Sequence, residues 1–77
     1  MNPRSRLPRM ILRLDIERET DGRWLAEVLE LPGVLAYGAS EQEAKAKAQA
    51  LALRVLADRL EQGEAASDLT GISFAAA

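Results

Sequence analysis

Residues 10–44, MILRLDIERETDGRWLAEVLELPGVLAYGASEQEA, contain three strand patterns followed by the start of a helix. From Met10 to Glu17 every second residue is apolar, which is the period of a half-buried strand. The same alternation runs from Trp24 to about Leu31, and a short apolar segment covers Val34 to Tyr37. The sequence therefore predicts three consecutive strands.

Two turn signals separate these strands. Asp21-Gly22 lies between the first and second strands, and this dipeptide is typical of a β-hairpin because both residues adopt positive φ at low cost. Pro32-Gly33 predicts the second turn. Gly38 ends the third strand, where we expect a backbone conformation that a side chain would oppose.

A long helix should follow the third strand. Ser40 to Glu43 has the form of a capping box, in which Ser40 caps the helix and the Glu43 side chain bonds to the Ser40 amide. The helix is predicted from Glu41 to about Gln62, with Gly63 as its C-terminal stop.

The predicted helix has two apolar stripes on nearly opposite sides. The stripe expected to cover the sheet consists of Ala44, Ala48, Leu51, Ala52 and Val55, with Leu56 at its margin. The second stripe contains Leu53, Ala57 and Leu60, and either meets a partner chain or stays exposed.

Residues 71–75, GISFA, predict a last strand that lies beside the first and parallel to the third. The resulting fold class is α+β, in the order β-β-β-α-β, with a mixed sheet and one long helix packed on one face. This order resembles the opening of the ribonuclease H fold. Residues 1–9 are predicted to be a basic arm and residues 10–77 a single domain. The sheet face away from the helix, with Ile11, Leu25 and Leu29, is apolar enough to favour a dimer.

The composition excludes most catalytic devices. The 77 residues contain no cysteine and no histidine, so Ser-His and Cys-His arrangements and ordinary zinc sites are absent from the sequence. The five glycines are scattered at turns and form no phosphate-binding loop. We therefore expect no enzymatic activity and no cofactor. The absence of an apolar run of roughly 18 residues and of a signal peptide predicts a cytoplasmic protein without a membrane span.

Two alternatives come from charged residues. The net charge is −2, but the first part of the chain is basic, and its arginines are candidate phosphate contacts, namely Arg4, Arg6, Arg9 and Arg13. They predict either weak nucleic-acid binding or a solvated tail. The remote alternative is a metal-dependent nuclease in which Asp15, Glu27 and Asp58 converge on Mg²⁺.

Residues 21–33, DGRWLAEVLELPG, resemble the signature of the HicB-like antitoxin family. That family shows an acidic-Gly turn, an aromatic residue, a strand containing Ala-Glu, and then Glu-Leu-Pro-Gly. The resemblance continues through a strand ending at Gly38 and a capped Ala/Leu helix beginning at Ser40. It covers about residues 10–75.

The resemblance implies a non-enzymatic antitoxin that oligomerises, as a dimer or tetramer, and neutralises a HicA-type ribonuclease toxin by covering its active site. It also implies a short form, because many family members carry a further C-terminal DNA-binding domain. An orphan nucleic-acid-binding or structural homo-oligomeric module is the alternative function. The residues predicted to form the partner interface are Trp24, Leu31, Pro32, Tyr37, Leu53 and Leu60.

Overall fold

The structure is a computed structural model that describes residues 10–63 and 71–77. Its elements are β1 (Met10–Arg18), β2 (Trp24–Val28), β3 (Leu35–Gly38), α1 (Glu41–Glu61) and β4 (Ile72–Ala76). This order and the α+β fold class confirm the sequence prediction. The second strand is shorter than predicted, because the chain turns directly after Val28.

The four strands form one mixed sheet in the order β3-β2-β1-β4. β2 is antiparallel to both β1 and β3, and β4 is parallel to β1. β3 and β4 therefore run in the same direction at opposite edges of the sheet. The predicted place of β4 beside the first strand is confirmed.

The β1–β2 connection is a hairpin, but its turn differs from the predicted one. The Gly22 N–H donates to the Glu19 carbonyl over 3.0 Å, and Gly22 has φ of 92°. No described residue other than a glycine has positive φ, so Asp21 does not share this conformation. The turn thus ends in a single left-handed glycine, as in three-residue hairpin loops.

The β2–β3 connection is a tight turn around Pro32-Gly33, as predicted. The Val34 N–H donates to the Leu31 carbonyl over 3.0 Å, and Gly33 has φ of 87°. Proline followed by a positive-φ glycine is the pattern of a type II turn. This turn directs Leu31 and Val34 back into the core.

Helix α1 begins with a modified capping box. The Ser40 hydroxyl accepts a hydrogen bond from the Glu43 amide over 3.1 Å, as predicted. The Glu43 carboxylate, however, accepts from the Ala39 amide over 2.6 Å and not from that of Ser40. The helix ends as predicted, with Gly63 at φ of 73°.

The core lies between α1 and one face of the sheet. The helix contributes a buried stripe of Ala44, Ala48, Ala52 and Leu56, and the sheet contributes Leu12, Leu14, Ala26 and Val28. Because alanine has a small side chain, the helix backbone approaches the sheet closely. α1 lies mainly over β3 and β2 and contacts β1 less.

Gly38 marks the point of closest approach between sheet and helix. Its φ is not positive, so the prediction of an unusual backbone conformation is wrong. A Cβ atom there would instead lie 2.9 Å from the Glu43 carbonyl carbon and closer still to the Ala44 nitrogen. Glycine is required at this position because the helix backbone fills the space of a side chain.

Candidate protein-binding surface

The sheet face away from α1, here called the open face, carries no further layer within the described part of the chain. Strand register arranges its side chains in rows that cross the sheet. One row contains Asp15, Glu27 and Leu35. The adjacent row contains Glu17, Leu25 and Tyr37.

Three carboxylates give the open face a negative charge. Asp15 lies directly opposite Glu27 on the neighbouring antiparallel strand, and Glu17 is two residues further along β1. Side chains opposite each other in such a pair are about 5 Å apart at Cβ, and like charges there destabilise the sheet. None of the three carboxylates forms an ion pair with another described residue. Their charge is therefore available to a partner.

Exposed apolar side chains lie among these carboxylates. Ile11 is 52% exposed, and Leu29, Leu35 and Tyr37 are each 39% exposed. Leu29 joins this face because its N–H donates to the Arg13 carbonyl over 3.0 Å, which places it beside β1. Exposed apolar side chains interspersed with charged ones on one face are typical of a protein-binding surface.

Glu30 closes one end of the open face by binding Arg13. Its carboxylate accepts from the Arg13 backbone N–H over 2.7 Å and from the Arg13 Nε over 2.5 Å. These two hydrogen bonds hold the pKa of Glu30 below its ordinary value, and the bond from the backbone N–H has the larger effect. Arg13, a predicted phosphate contact, is therefore paired with Glu30 within the chain. Arg4, Arg6 and Arg9 lie outside the described residues.

A second arginine fixes Tyr37 at the other end. The Arg23 guanidinium carbon lies 4.3 Å from the centre of the Tyr37 ring, within cation–π range. The Asp21 carboxylate accepts hydrogen bonds from the backbone N–H and from the Nε of Arg23. Both bonds lower the pKa of Asp21, and the backbone bond has the larger effect. The Tyr37 ring, which the strand register places on the open face, therefore packs against an arginine that is itself bound to Asp21.

The other predicted interface residues of the strands and turns do not lie on the open face. Leu31 is only 3% exposed and belongs to the core, so its prediction as an interface residue is wrong. Trp24 is half-buried on the face covered by α1, with the Arg18 guanidinium carbon 5.9 Å from its ring. Pro32 is exposed in the turn.

Leu53 and Leu60 form a separate surface on α1. They are 47% and 40% exposed, on the side of the helix away from the buried alanine stripe. The predicted second stripe is therefore present and uncovered by any described residue. No helix in the described segments is long and apolar enough to cross a membrane.

The predicted carboxylate site is not assembled. Asp15 and Glu27 lie on the open face, whereas Asp58 belongs to α1 on the other side of the sheet. Among residues 10–63 and 71–77 no three acidic side chains are grouped closely enough to hold a metal ion. The metal-dependent nuclease alternative therefore loses its proposed ligand set.

The sequence prediction treated the open face as an apolar dimer surface, through Ile11, Leu25 and Leu29, and left its carboxylates out of the partner interface. It named Tyr37 but not Leu35, and it treated Asp15 and Glu27 only as metal ligands. The signal was present in the alternation of β1 to β3, which places these four residues and Glu17 on the same face.

Comparisons with family models, with curated proteins and with solved structures found no match to this chain.

Proposed function

We propose that this chain is a non-enzymatic, cytoplasmic, HicB-like antitoxin that oligomerises and neutralises a HicA-type ribonuclease. The open face is the surface that binds the toxin. The single observation that carries this proposal is a combination on one face: Asp15, Glu17 and Glu27, which form no ion pair with another described residue, lie beside exposed Leu35 and Tyr37.

The charge of the open face selects the class of partner. A ribonuclease must present positive charge where RNA phosphates bind, so a negative surface can occupy that site. RNA itself would be repelled by the three carboxylates. The same acidic surface therefore favours a basic protein over a nucleic acid as the ligand.

The positions of Asp15 and Glu27 destabilise the free domain but would stabilise a complex with a basic partner. Asp15 opposite Glu27 costs the isolated domain stability, on the order of 0.2–1 kcal/mol. A basic side chain of a partner placed between them would remove that repulsion and form new ion pairs. The pair is therefore unfavourable in the free chain and favourable in a complex.

The experiment is a protection assay with a HicA-type toxin from the same genome. RNA cleavage is followed while the chain is added, first as the wild type and then as Asp15→Asn/Glu17→Gln/Glu27→Gln. The wild type should inhibit cleavage stoichiometrically. The triple variant should need at least about tenfold more protein, because the complementary charge is lost.

Glu61→Gln is the matched control, since it also removes an exposed carboxylate but lies at the far end of α1. It should inhibit like the wild type. The proposal is refuted if the wild type neither binds nor inhibits the toxin. It is also refuted if the triple variant inhibits as well as the wild type.

A further inference from the structure

The outer edge of β4 has backbone groups without partners among the described residues. The ladder to β1 uses alternate residues of this strand: Met10 N–H donates to the Gly71 carbonyl, and Ala77 N–H donates to the Leu14 carbonyl, each over 2.9 Å. By the alternation of a parallel ladder, the N–H and C=O groups that point away from β1 belong to Ile72, Phe74 and Ala76.

This edge lacks the features that usually prevent strand pairing. Natural edge strands carry charged residues, prolines or bulges that block addition of another chain. Residues 71–77, GISFAAA, contain no charged residue and no proline. Ile72 is 39% exposed.

The helix also leaves β4 without full cover. α1 lies over β3 and β2, and a cavity of about 180 Å³ remains between the helix and β4. Leu14, Ile16 and Phe74 contribute its apolar lining, and Phe74 is only partly buried. β4 is therefore an edge strand with one neighbour and an open flank.

We infer that β4 is the self-association site, where it pairs antiparallel with β4 of a second copy across a two-fold axis at Phe74. In this register Ile72 of one chain faces Ala76 of the other, so a large side chain meets a small one. The three outward-facing residues of each strand then exchange about six hydrogen bonds. The two sheets become one continuous sheet.

A second copy fits this edge because an uncharged strand does not repel itself. The open face, which the sequence analysis favoured as a dimer surface, is less suited to self-association because it would bring the carboxylates of two copies together. The inference rests on the proposed oligomerisation and leaves the open face free for the toxin.

Disulfide formation tests the register directly, because the natural chain has no cysteine. In the inferred dimer Ser73 faces Ala75 of the second chain, at a separation that a disulfide spans. Ser73 lies more than about 7 Å from Ser73 of the partner, which a disulfide does not span. Ser73→Cys and Ala75→Cys chains should form covalent dimers when mixed and oxidised, and neither should do so alone.

Sedimentation equilibrium of charged variants tests the same interface without a covalent bond. Ile72→Lys and Ala76→Glu should each weaken self-association by roughly tenfold or more, because a charge on an edge strand opposes pairing with another strand. The double variant should restore it, because the two new charges face each other across the dimer. Circular dichroism verifies that each variant is folded.

Leu53→Lys is the control for the exposed stripe of α1, and it should self-associate like the wild type. A wild type that remains monomeric at about 100 μM overturns the inference. So does a dimer that Ile72→Lys leaves intact, or one that Leu53→Lys dissociates. Inhibition of the toxin is measured in the separate RNA-cleavage assay. A chain that dimerises but does not inhibit would refute the proposed function and leave this interface standing.

Discussion

Replacing Gly38 with alanine tests the close approach between β3 and the start of α1. The added Cβ would lie 2.9 Å from the Glu43 carbonyl carbon, and still nearer to the Ala44 nitrogen. Carbon atoms in good contact are about 3.5–4.0 Å apart. Because the opposing atoms are helix backbone, the overlap cannot be relieved by a side-chain rotation, and the helix start must move.

The expected cost follows from this forced movement. Inserting one methyl group into a packed region usually costs about 1–3 kcal/mol, and a backbone clash belongs at the upper end of that range. A domain of this length is stable by about 4–12 kcal/mol. Gly38→Ala should therefore remove about 3 kcal/mol and leave a folded but clearly weakened domain.

Urea unfolding followed by circular dichroism measures this change. Gly71→Ala is the matched control, because a Cβ at Gly71 meets nothing within 4 Å and its φ is not positive. It should be neutral or stabilising by up to about 1 kcal/mol. If Gly38→Ala loses no more stability than Gly71→Ala, the close-approach argument is refuted.

Three other substitutions test separate parts of the structure. Asp15→Asn should stabilise the free domain by about 0.2–1 kcal/mol, measured in urea, because it removes the repulsion from Glu27. Leu31→Ala should cost about 2–5 kcal/mol in the same assay, because Leu31 is 3% exposed. Glu30→Gln should lower the melting temperature at pH 7. Since hydrogen bonds from Arg13 lower the pKa of Glu30 in the folded state, this deficit should shrink as the pH falls below the ordinary value of 4.5 and vanish below the lower pKa of the folded state.

Each of these substitutions has a control on α1. Glu61→Gln should leave stability nearly unchanged, and Leu53→Ala should cost under about 1 kcal/mol because Leu53 is 47% exposed. A destabilised Asp15→Asn would contradict the like-charge argument. A Leu31→Ala loss no larger than that of Leu53→Ala would contradict the burial of Leu31. A Glu30→Gln deficit that grows in acid would contradict the sign of the linkage.

The topology was predictable because local signals determine it. Alternation fixes β1 and β2, Pro32-Gly33 produces the type II turn, and Ser40 caps the helix through the Glu43 amide. A parallel strand that follows a crossover helix can join the sheet at only a few positions, and β4 lies beside β1 as predicted.

The errors concern details that tertiary packing determines. Leu31 precedes a Pro-Gly turn and could point either way, and the turn directs it into the core. The Glu43 carboxylate reaches the Ala39 amide because the chain direction before Ser40 presents that N–H. Asp58 is polar on its helix, but only the fold shows that the sheet separates it from Asp15.

The site was predicted only in part for the same reason. Tyr37 was chosen as a single aromatic residue, whereas its role depends on Leu25 beside it and Arg23 over its ring. Pairing of Asp15 with Glu27 requires the strand register, which alternation alone does not supply.

The proposed toxin complex is tested most directly by measuring which face of this chain a HicA-type toxin protects. A single cysteine is introduced at Leu35 on the open face or at Leu53 on α1, since the natural chain has none. The rate of thiol labelling is then compared with and without a saturating HicA-type toxin. If the toxin binds the open face as proposed, the cysteine at position 35 should be strongly protected and the cysteine at position 53 hardly at all. Protection at position 53 with unchanged labelling at position 35 would contradict this proposal.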